Sequence, residues 1–507
     1  MTNHLFEGLA RAAEPEAPWL HLPDGTTWTY GDMVERSARM ARALTKLGLK
    51  PGDRVAAQIE KSPEALILYL GTVRAGGAFL PLNTGYTPAE IDYFIGDAQP
   101  ALFVVDPAAR DALMPTAASH GARVETLDRN GSGSLAKLAD EEAADTFSDV
   151  PRGPDDLAAI LYTSGTTGRS KGAMTTHDNL LSNARALAEC WHFTRDDRLI
   201  HALPIFHTHG LFVATNTVLV SGASMIFQAK FDAGDVLAAM PRATSLMGVP
   251  TFYVRLLQHP GLTREATAHM RLFVSGSAPL LAETHRAFEA KTGHRILERY
   301  GMTETNMITS NPYEGDRVPG AVGFPLPGIR VRVADPETGA PIPEGEVGMI
   351  EVKGPNVFSG YWRMPEKTKA EFRDDGFFVT GDLGKIDERG YVHIVGRGKD
   401  LVISGGYNVY PKEIEAEIDA MPGVHESAVI GVPHADFGEG VTAVVVREKG
   451  ASIDEATVLA ALSGRLAKFK QPKRVLFVDE LPRNTMGKVQ KNALRERYAD
   501  LYAPKVG

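Results

Sequence analysis

The chain has 507 residues, 43% apolar and 23% charged, the proportions of a soluble globular protein long enough for about three or four packed units. A net charge of −9 argues against nucleic acid as the main partner, because phosphate backbones are bound by a concentrated basic face. Cys190 is the single cysteine, so no internal disulfide can form, which fits a cytoplasmic setting; no signal-like leader and no run of about 18 apolar residues is present, so no membrane span is expected.

In chain order, residues 30–46 have helical apolar spacing and stop at Gly48, with Pro51 just beyond. Residues 54–58 read as a strand, 62–76 as a helix closed by Gly76 and Gly77, and 101–105 as a buried strand. The alternation continues through 156–162, 178–188, 198–203, 224–227, 245–249 and 271–274, which predicts parallel sheets covered by helices. After about residue 315, Gly, Pro and short β runs at 331–333, 347–352 and 391–395 predict a small β unit. A polar, glycine-rich joint, Gly396-Arg397-Gly398-Lys399-Asp400, precedes a mixed segment with helices at 410–421 and 453–468 and strands at 426–432, 442–447 and 474–478. The expected boundary therefore lies near Lys399, dividing residues 1–398 from 399–507.

The strongest local pattern is Thr163-Ser164-Gly165-Thr166-Thr167-Gly168-Arg169-Ser170-Lys171, directly after an apolar run. Glycines let backbone N–H groups approach phosphate oxygens, hydroxyls add donors and the lysine adds charge. The spacing is not that of a Walker A loop. Four further motifs follow: Tyr300-Gly301-Met302-Thr303-Glu304, Thr380-Gly381-Asp382, the joint at 396–400, and Pro482-Arg483-Asn484-Thr485-Met486-Gly487-Lys488.

In this order the five motifs resemble those of the acyl-adenylate-forming superfamily, over nearly the whole chain. The resemblance implies an α/β multidomain fold: a large N-terminal domain of two α/β sheet subdomains plus a small β-barrel-like subdomain, and a small mobile α+β C-terminal domain. It implies ATP, Mg²⁺ and coenzyme A as co-substrates and cofactor. Residues Thr163 to Gly168 and Lys171 would hold the phosphates, and Glu304 the Mg²⁺. Tyr300 would stack on adenine opposite Ser277, Ala278 and Pro279, with Gly301, Met302 and Thr303 beside it. Asp382 would take the ribose hydroxyls, assisted by Arg397. Lys488 would bridge carboxylate and α-phosphate in adenylation; Thr163 and Glu304 complete the catalytic set. Rotation about Lys399 and Asp400 would then remove Lys488 and bring Gly405 and Gly406 to pantetheine. The same resemblance makes Lys488 a target for a lysine acetyltransferase and a deacetylase.

For the acid, Leu203 to Gly210 places His207 and His209 beside a strand end, Val249 to Arg255 puts an arginine at the start of a helix, and Arg299 precedes Tyr300. Arginine offers the fork geometry that a second carboxylate accepts. These runs, with Gly-Met-Thr-Glu-Thr-Asn-Met, look like those of malonyl-CoA synthetases. That likeness implies that His209, Arg255, Ser277 and Arg299 bind the distal carboxylate of malonate or methylmalonate, with Thr208 and Met307 flanking the α-carbon. A CoA ligase for another short acid, an enzyme loading a carrier-protein thiol and a non-catalytic nucleotide-binding regulator are the alternatives. His201, His207 and His209 have metal-like spacing but no acidic or thiol neighbour, and zinc is not expected.

Overall fold

The computed structural model describes residues 2–144, 147–163, 170–404, 407–434, 436–463, 465–466, 468–484 and 487–503. Within them the chain packs into two compact units. One comprises residues 1–331 and 352–378; the other comprises 332–351 and 379–507.

The first unit holds two large sheets. One has seven strands. Five run parallel, in the order Arg123–Thr126, Leu102–Val105, Arg54–Gln58, Ala78–Pro81 and Leu157–Thr163, and two antiparallel strands, Lys171–Thr176 and Gly360–Tyr361, close the edge. The other has nine strands, six of them parallel: Pro18–His21, Ser224–Phe227, Arg198–His201, Ser245–Gly248, Leu272–Ser275 and Leu297–Met302. The central strands carry Leu, Ile, Val and Phe at consecutive positions because helices cover both faces of a parallel sheet.

Local signals explain the helix ends. Thr29 and Asp32 form a reciprocal cap on the helix Tyr30–Lys46. Gly48 ends it in a left-handed conformation, φ 99°, that a side chain would resist. Ser62 caps Pro63–Arg74 by accepting from Ala65 N, with Pro63 in the first turn.

The expected small β unit is a four-stranded sheet of Arg330–Ala334, Gly348–Lys353, Phe378–Ile386 and Val392–Arg397. In the second unit the strands Tyr407–Val409, Val402–Ser404, Gly438–Arg447, Val424–His434 and Arg474–Val478 form one further sheet. Its two-residue alternation separates two cores. Val429, Ala443 and Val445 face Ile414, Ile418, Val458 and Leu462, whereas Ile430, Val444 and Val446 face Leu481 and Leu494. The helix expected at 453–468 is shorter, Glu455–Ser463; Asp454 accepts from Thr457 N and caps its start. The joint at Lys399 and Asp400 is a 3₁₀ turn, Gly398–Asp400, inside this unit, and Asp400 pairs with Arg495 at 2.7 Å. Among the described residues, no helix is long and apolar enough to cross a membrane.

Candidate active site

The phosphate-loop motif follows the strand Leu157–Thr163, which turns back as Lys171–Thr176 with Thr163 opposite Lys171. Ser164, Gly165, Thr166, Thr167, Gly168 and Arg169 lie outside the described residues. What flanks them is well anchored. Tyr93 donates its hydroxyl to the Ser170 carbonyl at 2.7 Å. Lys171 Nζ lies 4.1 Å from the centre of the Tyr361 ring and 3.3 Å from Glu371 Oε1. Tyr361 in turn donates to Glu304 Oε1 at 3.0 Å. Burial and the Glu304 charge hold the Tyr361 phenol protonated, so it can only donate there. Glu304 is buried, and a carboxylate next to the expected phosphate loop suits Mg²⁺, which takes one or two carboxylates together with phosphate oxygens.

The residues expected around adenine come from two neighbouring strands. Ser277, Ala278 and Pro279 follow the strand Leu272–Ser275, and Tyr300, Gly301 and Met302 end Leu297–Met302. Ser277 has φ 71°, rare for a residue with a side chain and a mark of a functional loop. Thr303 and Glu304 sit in the turn to Asn306–Ser310.

The residues expected to bind the acid show the clearest chemistry. Arg299 is 3% exposed, and among the described residues its Nε and Nη2 have no hydrogen-bond partner. Burial alone pushes the guanidinium down to about 9, which still leaves it charged at neutral pH. Its room comes from Gly276, where a β-carbon would lie 2.3 Å from the guanidinium carbon. His209 Nδ1 is 3.1 Å from Ser277 Oγ, while the buried Nε2 has no partner. Burial, with Arg299 nearby, pushes His209 well below its ordinary range, so the ring is neutral. In the tautomer in which the Ser277 hydroxyl donates to Nδ1, the proton sits on Nε2 and makes it a donor. In that tautomer a side-on Arg fork and a neutral His N–H lack acceptors among the described residues, the pattern that an anion is suited to satisfy.

His209 opens a π-helical turn, His209–Ala214, whose six residues are all buried. Thr208 Oγ1 donates to Asn306 Oδ1 at 2.8 Å, and Met307 is buried beside Asn306 in the same strand. Asn306 Nδ2 is buried without a partner, and the backbone there is left-handed at φ 49°. Sequence reading passed over Asn306; its only signal was an asparagine, a residue tolerant of that conformation, two places after Glu304. Arg255 stands apart. Pro250 begins the helix Pro250–Gln258, so Arg255 falls in its last turn rather than at its start, and it is exposed. His201 does not join a metal cluster, because its ring nitrogens meet Lys61 and the Gly210 carbonyl.

The second unit holds the remaining residues. Asp382 is buried and pairs with Arg397 Nε at 3.0 Å across adjacent strands. Lys399 is pushed down by burial. Lys488 is exposed on a tight turn in which Asn484 N donates to the Lys488 carbonyl at 3.0 Å and Lys488 N donates to Asn484 Oδ1 at 2.9 Å. Gly405 and Gly406 lie outside the described residues.

The sequence model of the AMP-binding enzyme family matches residues 9–362, and that of the AMP-binding enzyme C-terminal domain matches 413–488. The structure is similar to ATP-bound MatB from Rhodopseudomonas palustris, with 67% identity, a TM-score of 0.97, and coverage of 99% of this chain and 100% of that one. A feruloyl-CoA synthase from Amycolatopsis sp is 38% identical over 94% of both chains. A malonate–CoA ligase from Arabidopsis thaliana is 34% identical over 93% of this chain and 85% of its own. The chain belongs to the AMP-binding enzyme family.

Proposed function

We propose that the protein ligates malonate to coenzyme A, cleaving ATP to AMP and pyrophosphate through a malonyl-adenylate, and that it tolerates methylmalonate. One observation carries the choice of acid: the buried, unpartnered Arg299 fork beside the His209–Ser277 pair. A monocarboxylate tail would leave that charge uncompensated, at a cost of several kcal/mol. Relatives named for acids as different as ferulate and malonate show that family membership does not choose the acid.

In this reading Arg299, His209 and Ser277 hold the distal carboxylate, and Thr208 and Met307 bound the space at the α-carbon. Arg255, exposed in the last turn of its helix, is a further candidate cation for that carboxylate. The near carboxylate attacks the α-phosphorus in line as pyrophosphate leaves, so catalysis is positioning and charge neutralisation. Thr163, Lys171 and the loop between them take the phosphates. Tyr361 orients Glu304, which would hold Mg²⁺; the ion would neutralise charge on the phosphate oxygens. Asp382 accepts from the ribose hydroxyls, with Arg397 fixing its carboxylate. Lys488 stabilises the charge developing between carboxylate and α-phosphate, which requires its unit to close for adenylation. Turning about Lys399 and Asp400 then withdraws it, and Gly405 and Gly406 admit pantetheine for thioester formation. An exposed Lys488 is also open to a lysine acetyltransferase and deacetylase, which would switch adenylation off and on.

The test is AMP release, with and without CoA, across short mono- and dicarboxylates. Malonate should lead by kcat/KM; equal turnover of acetate or propionate would overturn the dicarboxylate reading.

A further inference from the structure

Lys61 lies between the strand Arg54–Gln58 and the helix Pro63–Arg74 and is 7% exposed. Its ammonium has three protons and meets three acceptors: His201 Nδ1 at 2.9 Å, His201 O at 2.8 Å and Gln228 O at 2.7 Å. His201 ends the strand Arg198–His201 and is 1% exposed. Its Nε2 is 2.9 Å from the carbonyl oxygen of Gly210. A carbonyl can only accept, so Nε2 carries the proton and Nδ1 receives one from Lys61. The same carbonyl accepts from Thr215 Oγ1 at 3.0 Å.

Gly210 is the residue after His209, in the π turn, and it packs so tightly that a β-carbon would sit 2.0 Å from the Pro204 carbonyl oxygen. The Gly210–Leu211 peptide, the next but one after His209 Cα, is therefore held at its carbonyl by His201 and Thr215, and Gly210 itself is pressed against the Pro204 carbonyl. A buried ammonium is an expensive way to fill space, since an apolar side chain of similar volume does so without desolvating a charge. What the ammonium adds is direction: it sets the His201 tautomer, and His201 sets the Gly210 carbonyl.

We propose that Lys61 and His201 are positioning residues for the distal-anion subsite, holding the Gly210 carbonyl and thereby the orientation in which His209 meets Ser277 and the acid. The inference rests on the dicarboxylate reading above. It also places the Lys61 amine behind the subsite, on the far side of His201 from Gly210, where burial pushes the amine well below its ordinary range.

The experiment compares Lys61→Met, His201→Gln and His209→Asn, singly and as Lys61→Met/His209→Asn, by malonate KM, ATP KM, kcat and thermal midpoint. Lys61→Met should raise the malonate KM by about tenfold with the ATP KM changed by less than about twofold. The double variant should be no worse for malonate than His209→Asn alone, because both changes act through one ring. A Lys61→Met enzyme that melts earlier but keeps its malonate KM overturns the proposal, as do effects that multiply in the double variant. If Lys61→Met does not accumulate folded, His201→Gln gives the same readout. If His209→Asn and Arg299→Ala themselves leave the malonate KM unchanged, the dicarboxylate reading falls and this inference with it. If they raise it and neither Lys61→Met nor His201→Gln does, only the positioning role falls.

Discussion

A guanidinium held out of water without an acid beside it costs folding free energy that a ligand can return. Arg299 is in that position, with Nε and Nη2 unpartnered at 3% exposure. Arg299→Met should therefore raise the thermal midpoint of the ligand-free protein while raising the malonate KM by about a hundredfold, the loss of a bidentate charged contact. Malonate itself should stabilise the wild type, by about 2.7 kcal/mol at one hundred times its Kd, and leave the variant's midpoint unmoved. The buried histidines predict a pH dependence. His201 and His209 are pushed well below 6.5 by burial, and His177 to about 4. Lowered values in the folded state mean that unfolding takes up protons once the pH drops below 6.5. Stability is then full above that pH and should fall on acidification, by about 1 kcal/mol per histidine one unit lower. Denaturant titrations at pH 7.5 and 5.5 check the sign, and His177→Asn should reduce the difference.

At the scale of elements, the site depends on short segments whose backbone leaves the regular patterns. The π turn His209–Ala214 and the left-handed Asn306 set where His209, Thr208 and Met307 sit. Gly210→Ala would drive a methyl into the Pro204 carbonyl and should abolish malonate-dependent AMP release while leaving ATP affinity close to wild type, read by nucleotide titration. Thr208→Ser keeps the hydroxyl for Asn306 and removes one methyl from the proposed α-carbon wall. It should improve methylmalonate over malonate by about tenfold in kcat/KM, the usual worth of one methyl in a tight pocket. These segments were hard to read in the sequence. Helices such as Tyr30–Lys46 announced themselves through apolar spacing, a Thr29–Asp32 cap and a terminal Gly48. No comparable signal marks a π turn, and a reading by helical period misplaced Arg255 because Pro250 starts its helix earlier.

At the scale of the molecule, Arg299 and Glu304 belong to one unit, and Lys488 and Asp382 to the other. The proposed chemistry needs both for adenylation and a different arrangement for thioester formation. Lys488→Ala should lower malonate-dependent AMP formation by about a thousandfold yet still convert supplied malonyl-adenylate and CoA to malonyl-CoA. Equal loss of both half-reactions would contradict the rotation. Enzymatic acetylation of Lys488 should reproduce the variant, and a deacetylase should reverse it.

By itself the sequence determined the layered α/β plan and the order of the five motifs. Each of these is a property of neighbours along the chain: a strand running into a glycine-rich turn, a capped helix, a two-residue alternation. Only the tertiary structure separates the candidate cations by burial. Arg255 and Arg299 are equivalent as letters, but packing exposes one and buries the other against Gly276, without an acid of its own. Likewise three histidines at metal-like spacing part company, because Lys61, far away in sequence, takes His201, while Ser277 takes His209. Burial and partner choice depend on contacts between distant segments, which the order of neighbours along the chain does not reveal.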